Sequence, residues 1–420
     1  DGTLRVEHYL AQLRDEQRRL SALEDDEAEC SVAAVLRLSF NALEPTAQKV
    51  LAQLSVFPTS FAREAVAGVV WLHDITMEGA EAIARSLSQL HRAGLIELDA
   101  AGERVWLHDL VRAFATAQLD EPEAARQRHA ATYAYVARRL GELAQRGGAS
   151  LMQALSIFDA ERPHLEAGLA WALQRGGVAS VDELVTDYAI GLAPLGQLRL
   201  SPREALLPLS AAAVAAARRL GQPGLEAAAL CNLGVVTGQL GDEQRAQQLY
   251  GQALALVEDD PQLAPLASML HRNLALSSVR LGAAGTARQN VEELAKAIET
   301  GSDNAAHGHF HALNGLIERQ WGDPAQAVSR AEEGLALAQA AGNLQLEQEL
   351  LCNLANAVTA SPTSMASERY VRAQAYAKQA LALAERLDYT ATRKQPCPCI
   401  WRRWRSTSGW GTRRPSPQWR

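Results

Sequence analysis

The sequence predicts a mainly α fold, with a small domain of helices and a short β-hairpin followed by a solenoid of helical hairpins. Three observations predict it. Ala and Leu dominate a chain of 420 residues that is 48% hydrophobic but only 5% aromatic, and these two are the strongest apolar helix formers. A pattern of small residues recurs every 40–41 positions through the second half, which is the mark of stacked supersecondary units. One stretch near residue 100 reads as paired strands, bounded by turn chemistry.

Taken in order, residues 1–30, which open with DGTLRVEHYLAQLRDEQRRLSALEDD, read as a helix that Asp1 enters in mid-pattern, without an initiator Met. The chain is therefore expected to be a fragment. In residues 31–120, SVAAVLRLSFNAL and PTAQKVLAQLSVF read as helices, the second opened by Pro45, whose missing N–H costs nothing in a first turn. FAREAVAGVV and GAEAIARSLSQLHRAG are expected to be two more. Then LIELDAAGERVWLHD gives two β-prone runs around Ala100-Ala101-Gly102, a hairpin signal. Helices followed by such a hairpin make a winged helix.

Residues 121–180 carry two helical patterns, PEAARQRHAATYAYVARRLGELAQ and FDAERPHLEAGLAWALQRGG, with a flexible break expected at RGGAS. They read as an adapter that shields the first repeat. Gly147-Gly148 and Gly176-Gly177 are helix stops rather than phosphate loops, since no strand precedes them.

Residues 181–390 hold about five repeats. Gly234, Ala275 and Gly315 supply a small residue; Gly241, Gly282 and Gly322 follow seven positions later; Ala246, Ala287 and Ala327 come five beyond. An upstream copy fits Ala193, Ala205 and Ala212, and a downstream one fits Ala355, Ala373 and Ala380 with an insertion, SPTSMASE, at its turn. Each unit is a hairpin whose first helix is small where its partner crosses, ends in a left-handed Gly cap, and is followed by an Ala-faced second helix. This resembles the tetratricopeptide repeat (TPR), with Gly234, Ala246, Tyr250 and Ala253 at four of its signature positions. The resemblance implies a superhelix with a groove for a protein or peptide ligand.

Net charge of −7 conceals an asymmetry. Residues 391–420 carry eight basic residues and no acid, so removing them leaves −15 on residues 1–390. A body this acidic is not expected to contact DNA directly. The tail itself, ATRKQPCPCIWRRWRSTSGWGTRRPSPQWR, lacks helical period and reads as disordered or as a shifted reading frame. No apolar run reaches about 18 residues and no signal peptide opens the chain, so a cytoplasmic protein with no membrane partner is expected. Cys30, Cys231 and Cys352 are isolated, and Cys397-x-Cys399 lacks a second pair, so neither a disulfide framework nor a metal site is expected. The His307, His309 and His311 cluster would lie where one helix hands over to the next, its members diverging into solvent.

Leu107-His108-Asp109 is the sharpest local motif. On spacing alone, Asp109 reads as the cap of a helix beginning at Leu110, and His108 as a strand-end residue. The wider succession LRLSFNALEPTAQKVLAQLSVFP, SLSQLHRAGLIEL and VWLHDLVRAFA resembles the winged-helix subdomain of STAND/NB-ARC signal-transduction ATPases of the actinobacterial SARP/AfsR transcription-regulator type. Residues 1–30 are similar to the end of the helical, ARC-like subdomain before it, and Leu107-His108-Asp109 to the family's MHD motif, with Leu for Met. The resemblance implies that His108 senses the β-phosphate of ADP, and so restrains a nucleotide-binding NB-ARC domain in its resting state. This chain has no G-x-x-x-x-G-K-[ST], so it is not itself an enzyme and holds no cofactor of its own. ADP or ATP would be bound through the NB-ARC domain. Two other functions stay open: a stand-alone TPR adaptor for protein–protein interaction, and a DNA-binding activator using residues 79–93. That segment offers Arg85, His91 and Arg92 against the nearby Glu78 and Glu81, a nearly neutral surface.

Overall fold

The computed structural model describes residues 32–70, 77–299, 304–361 and 365–387. The expectations for residues 1–30 and 391–420, with Cys397 and Cys399, lie outside them. The chain divides into two compact units: residues up to 136 with 159–175, and residues 137–158 with 176 onward.

The first unit opens with α1 (Val32–Asn41) and α2 (Pro45–Leu54), continues through β1 (Phe61–Ala62), α3 (Val66–Val69) and α4 (Met77–Arg92), and closes with β2 (Glu97–Leu98), β3 (Arg104–Trp106) and α5 (Asp109–Ala117). α2 packs on α4 and α5, burying Val50, Leu51, Leu54 and Leu90 completely. The hairpin forms because Asp99 Oδ1 accepts the N–H groups of Glu103 (2.7 Å) and Arg104 (3.1 Å), while Gly102 takes a φ of 71° that a side chain would resist. One expectation fails here. Phe61 and Ala62 pair with Val105 and Arg104 to give an antiparallel sheet of order β1-β3-β2, instead of starting a helix. Phe61 reaches full burial in the strand and stacks on Phe57 at 3.8 Å.

The two helices expected in residues 121–180 are α6 (Pro122–Gln145) and α7 (Gly148–Gln174). The expected break at RGGAS shrinks to a two-residue turn, and α7 begins ten residues before the pattern FDAERPHLEAGLAWALQRGG, running through Pro163. The portions of both helices that belong to the first unit build its polar core. Glu161, 6% exposed, accepts from Arg104 of β3 and from the Tyr133 hydroxyl at 2.9 Å. Arg104 also donates to the Ser60 carbonyl at 2.6 Å. His164, fully buried, stacks on Tyr133 at 4.9 Å and donates from Nε2 to the same carbonyl at 2.8 Å. A buried carboxylate so compensated ties strand to helix.

In the second unit, α8 (Ala179–Arg199) to α17 (Ala366–Arg386) pair as five hairpins, α8/α9 (Leu207–Leu220), α10 (Pro223–Gln239)/α11 (Glu243–Leu254), α12 (Ala264–Arg280)/α13 (Ala284–Glu299), α14 (Asn304–Trp321)/α15 (Pro324–Ala340) and α16 (Leu344–Ala360)/α17. The array is TPR-like. Ala246, Ala287 and Ala327 are all fully buried. A Cβ on Gly234 would meet the Tyr250 ring at 2.4 Å, so the tyrosine and the glycine presuppose each other.

The template fails at two points. Gly241 and Gly282 take the left-handed φ (95° and 78°), but Gly322 does not; there the Glu318 carboxylate turns back to accept the Asp323 N–H at 3.0 Å and closes the helix end. In the upstream copy Ala213, not Ala212, is the fully buried residue, because the π-turn Pro202–Leu206 between α8 and α9 changes the register.

Candidate functional site

His108 stands in the turn between β3 and α5. It is exposed, while Leu107 before it is 3% exposed and anchors the turn. Arg112, one turn into α5, donates to the carbonyls of Leu107 (3.1 Å) and Pro58, and so holds the peptide that carries His108. The helix starts one residue earlier than the spacing suggests. Asp109 is its first residue, and the cap is His108 itself, whose Nδ1 accepts the Leu110 N–H at 3.3 Å. An Nδ1 that accepts puts the ring proton of neutral imidazole on Nε2.

The second candidate lies wholly inside the second unit. A cleft of about 700 Å³ is lined mainly by α8, α10, α12, α14 and α16, the first helix of each hairpin. Closure of the array around it depends on glycine. Gly148 N–H donates to the Gly342 carbonyl at 2.7 Å, and a Cβ on Gly147 would lie 2.5 Å from that oxygen. Arg199 of α8 donates to the Leu387 carbonyl at 3.0 Å, which brings the last helix back to the first hairpin.

Arg272, His309, Glu349 and Asn353 line this cleft. Arg272 donates to the Asn273 carbonyl oxygen of the side chain through Nε (3.3 Å) and a terminal nitrogen (3.2 Å). Arg280, further along the same helix, pairs with Glu243 at 2.8 Å. Burial, with Arg272 adding to it, holds the His309 pKa well below its usual value, so the ring is neutral. Enclosure raises the pKa of Glu349, and Arg272 and Arg280 oppose that rise. The Glu349 side chain still touches the solvent of the cleft, and the protein surrounding that solvent supplies the desolvation. Asn353 Nδ2 is buried and has no partner.

The expected handover at His307, His309 and His311 is instead the interior of α14. The residues do diverge: His309 faces the cleft, and His311 Nδ1 lies 2.9 Å from Glu333 on α15. The sequence alone points to solvated histidines, but His309 is enclosed because its helix lines the array's inner face. Of the segment 79–93, Arg85, His91 and Arg92 are at least partly exposed. His91 Nδ1 lies 3.3 Å from the Ile96 carbonyl, and Arg92 Nε donates to the Ser88 carbonyl at 3.3 Å.

No family model and no curated protein matches the sequence. Among solved structures, the chain is similar to a Signal Transduction ATPase with Numerous Domains (STAND) protein with a tetratricopeptide repeat sensor from Pyrococcus horikoshii, at 14% identity and a TM-score of 0.49. The match covers 91% of this chain and 51% of that one, so the chain spans about half the length of that protein. Among the described residues no helix is long and apolar enough to cross a membrane.

Proposed function

We propose that the chain is the regulatory and sensor portion of a signal-transduction ATPase controlling transcription. The repeat array senses a protein or small ligand in its central cleft. Residues 31–120 act as a winged helix that restrains an ADP-bound NB-ARC domain through His108. The observation that carries this reading is the state of His108: exposed, backbone-anchored by Arg112, and with its Nδ1 committed to Leu110 so that Nε2–H is the free donor.

A phosphate oxygen fits that donor. The nucleotide would supply a negative charge, and a hydrogen bond to a charged group contributes about 1.5–3 kcal/mol. Leu107, Arg112 and the Leu110 N–H do the rest by fixing the ring's position and tautomer. Loss of such a contact biases a two-state arrangement of domains. The test is the rate of ADP release from the full-length gene product. His108→Ala is expected to speed release by roughly tenfold or more, and an unchanged rate would refute the restraint.

A second reading, the stand-alone TPR adaptor, is favoured by the self-contained cleft, which needs nothing from the first unit. The DNA-binding activator draws the least support, since His91 and Arg92 are engaged with their own backbone and phosphate neutralisation is the usual first anchor for DNA.

A further inference from the structure

The repeats provide their own reference for what a helix of the array ordinarily carries. In the register that aligns Gly234, Ala275, Gly315 and Ala355, the position three residues earlier is Cys231, Arg272, Ala312 and Cys352. Three of the four are small, and Arg272 alone is charged. One turn before that, the equivalent positions are Ala228, Met269, His309 and Glu349. The two departures toward opposite formal charge, Arg272 on α12 and Glu349 on α16, both line the cleft.

Arg272 acts on Glu349 through space, without direct contact. No ion pair joins Arg272 to Glu349 within 4 Å, and each lacks any other ion-pair partner among the described residues, whereas Arg280 nearby is matched by Glu243. A cation and a carboxyl that share one cleft without an ion-pair partner, both partly open to its solvent, leave hydrogen-bonding capacity for a ligand to take up. Around them apolar side chains (Leu276, Leu313, Leu316, Leu344) are interspersed with amides (Gln197, Gln348), and the volume of about 700 Å³ falls in the range of organic-ligand sites, roughly 300–1,000 Å³.

We propose that the cleft binds an amino-carboxylate zwitterion, with Arg272 receiving the carboxylate and Glu349 the ammonium group. This rests on the reading of the cleft as the sensor's ligand site and adds the ligand's chemistry. Guanidinium and carboxylate pair in a fixed fork, so Arg272 sets orientation. Glu349 becomes fully ionised when the incoming ammonium offsets its enclosure. Asn353, on the same helix as Glu349, offers its unpartnered Nδ2. Free amino acids and short peptides share this chemistry.

Ligand-observed saturation-transfer NMR on the whole chain distinguishes the sources. The probes are a mixture of free amino acids, a randomised tripeptide mixture with free termini, and the same tripeptides N-acetylated or C-amidated. One of the two uncapped mixtures is expected to bind. If it is the tripeptides, either cap weakens binding roughly tenfold; if it is the amino acids, their N-acetyl and amide forms show the same loss. Arg272→Gln removes the penalty for blocking the carboxyl end, and Glu349→Gln removes that for blocking the amino end. The capping comparison uses unaltered protein, so it decides the matter even if a variant fails to fold. Equal binding of capped and free forms overturns the charge assignment while leaving the cleft a ligand site. Binding of neither mixture overturns the inference altogether, and leaves the separate ADP test of His108 untouched.

Discussion

The two units are held together by opposite means. The first concentrates its specificity in a few large or polar side chains: Glu161 bridging Arg104 and Tyr133, His164 stacked on Tyr133, Phe57 on Phe61. The second distributes it over small residues that repeat, with Ala246, Ala287 and Ala327 fully buried and Gly234 beneath Tyr250. A concentrated core is expected to fail on removal of one group. A distributed one is expected to fail on addition of one. The difference also separates tasks, since a repeat lattice of small residues leaves its inner face free to carry exceptions such as Arg272 and Glu349.

The largest test of this contrast is Glu161→Ala. It removes the carboxylate that Arg104 and the Tyr133 hydroxyl share; breaking a buried pair costs about 3–5 kcal/mol, and with Arg104 28% exposed and still bonded to Ser60 the lower end, about 3 kcal/mol, is expected, read out by urea unfolding monitored by hydrogen exchange in the first unit. A loss under about 1 kcal/mol would place the unit's stability elsewhere. Next comes Gly147→Ala, where a left-handed φ of 69° and a Cβ 2.5 Å from the Gly342 carbonyl combine. The expected loss is about 2–3 kcal/mol, larger than for Gly241→Ala, whose φ is 95° but whose surroundings are open. Equal losses at the two glycines would show that array closure contributes nothing.

Acid should reveal the concentrated core as well. Burial, reinforced by His164, pushes the His129 pKa down to about 3. The native ring is neutral while the unfolded one takes a proton below about 6.5, so stability is intact above that pH and falls as pH drops toward 3. At pH 5 the expected loss from His129 is about 2 kcal/mol. His129→Phe should flatten that part of the profile, and a profile as steep as before would contradict the assignment. The smallest effects compare two glycines of one hairpin. Gly234→Ala meets Tyr250 and should cost about 1–2 kcal/mol, whereas Gly251→Ala, which meets nothing within 4 Å, should stabilise by about 0.5–1 kcal/mol through helix propensity alone.

Repetition made most of the array legible in sequence, because close helix crossing demands small residues at fixed spacing and leaves a periodic trace. The helix Pro122–Gln145 matches its apolar pattern end to end. What escaped was short or solitary. A two-residue strand at Phe61–Ala62 has no period to detect, and the first ten residues of α7, from Gly148, follow glycines that read as a helix stop. The Glu161, Arg104 and His164 cluster joins elements more than 40 residues apart, which single-sequence patterning cannot link. The cleft residues left a signal that could have been followed: Arg272 is the one charged residue where the other repeats carry Ile190, Cys231, Ala312 and Cys352. For His108 the motif located the residue, but only geometry revealed that the histidine, rather than Asp109, caps the helix.

The proposed restraint reduces to one imidazole touching one nucleotide. Nitrogen-15 histidine NMR on the full-length protein observes that contact directly. The account predicts an Nδ1 that accepts from Leu110, and an Nε2 resonance that moves when ADP is added and returns when ADP is removed. An Nε2 resonance indifferent to ADP, in protein shown to have bound it, would contradict the account.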